Sequence, residues 1–438
     1  MVVFRLNQKK AVVKISKYIL CGGLAGLSCQ RFLLPEIYAL SPFIVLGFYW
    51  MHKIRSDKSD PTYLLIAMLM CVDNGGDIYA ETPVVIRYLI YVSLMWIIIP
   101  RERVKKSGVL FLLSLYFIMT FQMLFGIDTI RMLTINENII QLSIFSIFVL
   151  TVNFKIYGDF DTKLIVCFLM IYLLFESLNY IFFYEAAMGY MNYNSTKALL
   201  VLPFLYFLKT NKLLLTILSS MPTTMVLIAN GTRFIPVMFV MTLVLILFKK
   251  FLNLKFTNKI MLLILNYFLG EILFWYSDKY ELEASKVTNF FYQVATNFSI
   301  DVLRILEPVR MDENYIFFSR SVYEILFGSG LGSGLWDKNN TFGYIDYSQY
   351  AFSRMEIDSH IYHGLHDFWT DIGLRFGMLF VSIIVLMTIK NIWKYEGIKG
   401  AYWAMCLILL FCSFYSTAGV LLISIIYGLA MYLEKSAS

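Results

Sequence analysis

The sequence predicts an all-α fold: a polytopic integral membrane protein of about fourteen transmembrane helices (range 11–14) with one large external loop. Three observations predict it. Apolar residues fill 59% of the 438 positions and charged residues only 15%, where a soluble domain carries about 25%. Mean hydropathy is +0.68, so water is a poor solvent for most of the chain. Apolar runs alternate with short polar breaks, and Lys and Arg concentrate in every second break. This composition excludes a disordered chain, a coiled coil and an ordinary soluble enzyme. The net charge of +7 reflects that sidedness and is no nucleic-acid signature.

The expected spans are 18–34, 37–51, 61–73, 83–99, 108–126, 139–153, 164–184, 198–208, 213–229, 234–248, 260–276, 372–389, 401–415 and 419–433. Several fall short of the ~20 residues of a straight crossing. Spans 61–73 and 198–208 also read as half-helices. The first span follows a basic stretch ending at Lys17 and has no A-x-A cleavage site after it, so it is read as uncleaved. With the N-terminus inside, the inside connections and the C-terminal tail hold 24 Lys and Arg. The short outside connections, counted with the outer end of the first span, hold four: Arg31, Arg131, Lys197 and Arg233. One misplaced span would invert every later count, so the unbroken alternation supports the whole map and puts both termini inside.

One outside connection is long. Residues 277–371 form a loop of 95 residues within a single transmembrane domain, 1–438. The loop carries fourteen acids against seven Lys and Arg, and three of the four histidines. Loops of this length are usually functional. The six cysteines (Cys21, Cys29, Cys71, Cys167, Cys406 and Cys412) all lie in apolar segments, so none staples the loop. No CxxC or Cys/His zinc spacing occurs.

His360, His363 and His366 follow one another at spacings of three. On a helix, three imidazoles so placed would share one side, which suits a metal site with Asp358 or Asp371. Imidazole also titrates near neutral pH and suits proton transfer. Structural hydrogen bonding is the third reading. A glycine run, Gly328, Gly330, Gly332 and Gly334, frees the backbone either to cradle an anion or simply to turn. It lacks the order of a dinucleotide fingerprint. Arg233, after Asn230-Gly231-Thr232 at the outer end of a span, either snorkels to the interface or grips phosphate through its planar fork of donors. Arg310 and Arg320 in the loop raise the same choice. Glu176 and Glu271 fall within expected spans, where acids usually face an interior cavity.

In order, these pieces are an apolar array, Gly231-Thr232-Arg233 closing a span, then Arg310 in a large outer loop. Leu326-Phe327-Gly328-Ser329-Gly330-Leu331-Gly332 follows, then His366-Asp367 with Gly377 eleven residues on, and then the last spans. That order resembles the O-antigen polymerase and O-antigen ligase superfamily (Wzy type and WaaL type). The motif region covers about residues 230–390, and upstream only the topology agrees. Asp367 stands where Asn is common and Thr232 where Ser is common.

The resemblance implies a GT-C-like membrane glycosyltransferase at the periplasmic face of the bacterial inner membrane. It would polymerise repeat units carried on undecaprenyl diphosphate, without metal or other cofactor. It implies His366 as general base, with Arg233 and Arg310 as catalytic diphosphate clamps. Arg320, the rival match to Arg310, joins His363, Asp367, Gly328, Gly330 and Gly332 in substrate binding. Lipid-linked glycan, membrane lipid and a polysaccharide chain-length regulator are the implied partners, and nucleic acid is not. An O-antigen ligase or related glycan transferase has the same motifs, and a polysaccharide flippase or other transporter is the alternative of a different class. A transporter more often shows two similar halves, which this sequence lacks.

Overall fold

The computed structural model describes residues 162–182, 199–229, 234–252, 307–345, 352–363, 365–412 and 426–431, with a few single positions besides. The expected spans from 18–34 through 139–153, and span 260–276, lie outside the described residues, as does Arg233.

The described chain is mostly helical. Four helices come first: α1 Thr162–Phe182, α2 Leu202–Lys209, α3 Leu213–Ala229 and α4 Phe234–Leu252. Within the long loop lie α5 Pro308–Phe318, α6 Val322–Phe327 and α7 Arg354–Ser359. The chain continues with α8 Phe368–Phe376, α9 Met378–Lys394 and α10 Gly397–Cys412. The described residues are consistent with the all-α expectation, with one small two-stranded exception. Leu335–Trp336 (β1) pairs antiparallel with Ile361–Tyr362 (β2), with Leu335 opposite Tyr362. Among the described residues, no helix is long and apolar enough to cross a membrane.

Helix α10 organises the packing. It lies against α2, α4 and α9, while α3 packs on α1 and α2. Every residue from Ala401 to Leu410 is buried, as expected for a helix apolar on all sides. The surrounding helices turn apolar stripes outward at helical spacing. On α3 these are Leu213, Leu214, Ile217, Leu218 and Met221. On α9 they are Leu379, Phe380, Ile383, Leu386 and Met387.

At one end of α9, the buried Lys209 at the end of α2 donates from Nζ to the carbonyl oxygens of Ile392, at 2.9 Å, and Tyr395, at 3.4 Å. Glu396 stands 3.7 Å away. A cation at a helix C-terminus meets the orphan carbonyls and the negative end of the dipole. The connections 209–212 and 390–399 therefore lie together.

The other end of α9 departs from the sequence reading. A single span was expected over 372–389, but α8 and α9 break at Gly377. Its φ of +86° and ψ of 155° belong to a region essentially reserved for glycine. Any Cβ there would overlap the carbonyl of Leu326 at the end of α6. The loop has an apolar core of its own, formed by Ile316, Phe317, Leu335, Phe342, Tyr362 and Leu374 with their neighbours. Phe342 and Tyr362 meet edge to face at 4.7 Å, a favoured aromatic geometry.

Candidate functional site

Helix α5 begins at Glu307-Pro308, where proline costs no hydrogen bond because first-turn amides have no helical acceptor. Arg310, Glu313 and Asn314 follow at spacings of three and four, so they lie on neighbouring rows of the helix. Ile316 and Phe317 anchor the same helix in the loop core. The polar row thus stands at the edge of a fixed platform.

The segment His366-Asp367 lies across that row. Glu313 is wholly buried, and both of its carboxylate oxygens accept the backbone N–H of His366 at 3.1 Å. Oε1 also lies 2.6 Å from Nδ1 of the His366 ring. Phe352 presents its ring edge-on to the same imidazole at 5.1 Å. The His366 side chain keeps 23% of its surface open.

Asp367 occupies the N-cap position of α8 without capping it. Its carboxyl instead faces α5. Oδ1 lies 3.3 Å from Nε of Arg310, and Oδ2 lies 3.5 Å from Nδ2 of Asn314, which donates to it. Thr370 donates to the other end of the Asn314 amide at 3.4 Å. Glu307 stands 4.0 Å from Arg310. Burial pushes the Asp367 carboxyl up to about 7, a rise that Glu313 reinforces and that Arg310, His366 and Asn314 oppose.

His366, Arg310 and Asp367 therefore converge, while the other two histidines lie elsewhere. His360 ends α7 in the left-handed conformation, with φ of 55°, and its carbonyl accepts the N–H of Asp337 at 3.0 Å. The His363 amide donates to Oε1 of Glu356 at 2.7 Å, and the His363 ring lies beside Gly334. Glu356 also closes the capping box of α7 with Ser353. Among the described residues, no three His, Cys, Asp or Glu side chains are placed to hold one metal ion.

The glycine run docks on the end of α8. Ser329 N–H donates to the Leu374 carbonyl at 2.8 Å, and Gly330 N–H donates to that of Arg375 at 3.1 Å. Gly328 N–H closes α6 on Glu324. In this arrangement those three amides serve the fold. Gly332 is buried. Arg320 pairs with Glu324 at 2.9 Å and donates to Ser329 Oγ at 2.6 Å, which ties it to the glycine turn. Arg375, itself buried, pairs with Asp371 and donates to the His363 carbonyl at 3.3 Å.

Glu313, Asn314 and Phe352 were not singled out from the sequence. The spacing of Arg310, Glu313 and Asn314 was the available signal for the first two. Phe352 had none, because its place depends on the tertiary fold.

The site combines an imidazole held by a carboxylate, a guanidinium and a buried acid with a raised pKa. Such a group can take a proton from a hydroxyl and hold an anion. Comparison with known proteins gives no match to a family model, a curated protein or a solved structure.

Proposed function

We propose that this chain is a polytopic inner-membrane glycosyltransferase that polymerises lipid-diphosphate-linked glycan repeat units at the periplasmic face. The observation that carries the reading is the convergence of His366 and Arg310 on one platform, at 2.6 Å and 3.3 Å from Glu313 and Asp367. The ordered motifs, the apolar composition and the charge alternation support it. The outward apolar stripes of α3 and α9 suit a lipid solvent.

In this reading His366 accepts the proton of the acceptor sugar hydroxyl while the new C–O bond forms. The bond from the anomeric carbon to the lipid diphosphate breaks, and its electron pair leaves on the phosphate oxygen. Arg310, joined by Arg233, stabilises the charge gathering there. The sugar–lipid diphosphate itself supplies the energy, so the step needs no nucleotide sugar. The test is the lipopolysaccharide ladder of a deletion strain. Core bearing a single repeat unit fits the polymerase, bare core points to a ligase, and an unchanged ladder removes both.

A further inference from the structure

We propose that Glu313 is the positioning residue of this site, fixing the tautomer of His366 so that Nε2 is the proton-accepting atom. The inference rests on the reading of His366 as base. Its geometry is specific. A carboxylate only accepts hydrogen bonds, so the ring nitrogen 2.6 Å from Glu313 Oε1 must be the one that carries hydrogen. The lone pair is then on Nε2. Both oxygens of the same carboxylate also hold the His366 amide, so ring and backbone are fixed by one group. Phe352, edge-on at 5.1 Å, limits rotation of the ring.

The protons balance. Before transfer, Nδ1 carries one proton and Nε2 none. The acceptor hydroxyl gives its proton to Nε2 as its oxygen bonds to the anomeric carbon. The resulting imidazolium bears both protons, and its positive charge lies against the buried Glu313. After the diphosphate leaves, Nε2 returns its proton to water or to the departing phosphate. A buried carboxylate that holds an imidazole in one tautomer and steadies the imidazolium follows the logic of the third member of a catalytic triad.

The test uses full-length protein with Glu313→Gln. Glutamine keeps the size but puts an N–H₂ donor where one acceptor oxygen stood. Turnover should fall by about 10²–10⁴-fold, with KM for the lipid-linked substrate unchanged, because the interaction acts on proton transfer. A second readout does not depend on activity: acylation of each histidine by diethyl pyrocarbonate, followed by peptide mass spectrometry. His366 should react markedly more slowly in Glu313→Gln, while His360 and His363, as internal controls, keep their rates.

Slower His366 labelling in Glu313→Gln, together with a wild type that makes no polymer, would uphold the tautomer and refute the function. Normal turnover with normal His366 labelling in Glu313→Gln would overturn the positioning role. If Glu313→Gln does not accumulate, Glu313→Asp takes its place. It retains the charge but draws back the oxygens, and the same selective slowing of His366 is expected. Failure of both variants to fold would assign Glu313 to structure alone and overturn the proposal.

Discussion

The carbonyl oxygen of Arg375 receives the N–H of Gly330 at 3.1 Å, so the loop's glycine run is fastened to the last turn of the helix that begins beside His366. Three glycines at this junction have positive φ: Gly328 at 76°, Gly330 at 89° and Gly377 at 86°. Their surroundings differ. A Cβ on Gly328 would lie 2.5 Å from the Arg375 carbonyl, whereas a Cβ on Gly330 meets nothing within 4 Å. Alanine at 330 should therefore cost only the backbone strain, about 1–2 kcal/mol. Alanine at 328 or 377 must in addition push the backbones of α6 and α8 apart. Thermal unfolding of the three purified variants checks the order, with Gly330→Ala the mildest. Equal losses at all three would show that the close approach does not matter.

Asp367 gives a pH prediction with a definite sign. Its carboxyl is raised from 3.8 to about 7, chiefly by burial. The folded state therefore holds a proton that the unfolded state releases above about pH 4, and stability falls as pH rises from about 4 to 7. The full effect is on the order of 4 kcal/mol at 1.36 kcal/mol per unit. Asp367→Asn removes the titrating group while keeping the size. Between pH 5 and 8 its unfolding midpoint should vary less than that of the wild type, and at pH 8 it should lie higher. A parallel pH dependence in both proteins would exclude Asp367 as the source.

The topology can be checked with fused reporters. Lys209 reaches the carbonyl of Ile392 at 2.9 Å, so the connections 209–212 and 390–399 lie together, and the proposed topology requires that they share a side. The proposed reading, from the charge alternation, has both inside and residues 277–371 outside. Reporters near Lys286 and Lys338 should behave as periplasmic, and those near Lys105 and Lys255 as cytoplasmic. Cytoplasmic behaviour at Lys338 would reverse the map and remove the site from the face where the glycan carrier is expected.

Local patterning made part of this protein legible. The run Leu213–Ala229 reads as apolar between the polar pair Asn211-Lys212 and Asn230-Gly231, and the helix has those bounds. The break at Gly377 was not legible, because it depends on the approach of Leu326, fifty-one residues earlier in the chain. The same distinction holds at the site. His366, Asp367 and Arg310 stand out by residue type and motif order. Glu313 looks in sequence like one more acid in an acidic loop, and only tertiary packing buries it completely against His366. The spacing of the glycine run suggested either an anion cradle or a simple turn. The amides of Ser329 and Gly330 pair with α8, at an approach so close that Gly328 and Gly377 leave no room for a Cβ.

The three histidines allow the sharpest test, because the fold gives each a different environment. His360 is exposed and ends α7 with φ of 55°. Alanine there should lower stability modestly, since a non-glycine residue in this conformation costs about 1–2 kcal/mol and histidine is among the more tolerant types. His363 is fixed through its backbone amide by Glu356, a bond that alanine keeps. His363→Ala should lose ring packing beside Gly334 and retain polymer. His366→Ala removes the proposed base. It should insert at normal levels and abolish the polymer ladder, since loss of a general base costs about 10²–10⁴-fold. Ladder and abundance scored together separate the readings. A shared metal would make all three variants fail at normal abundance. A purely structural His366 would show as missing protein. Full activity in His366→Ala would overturn the mechanism even if the protein still polymerised glycans.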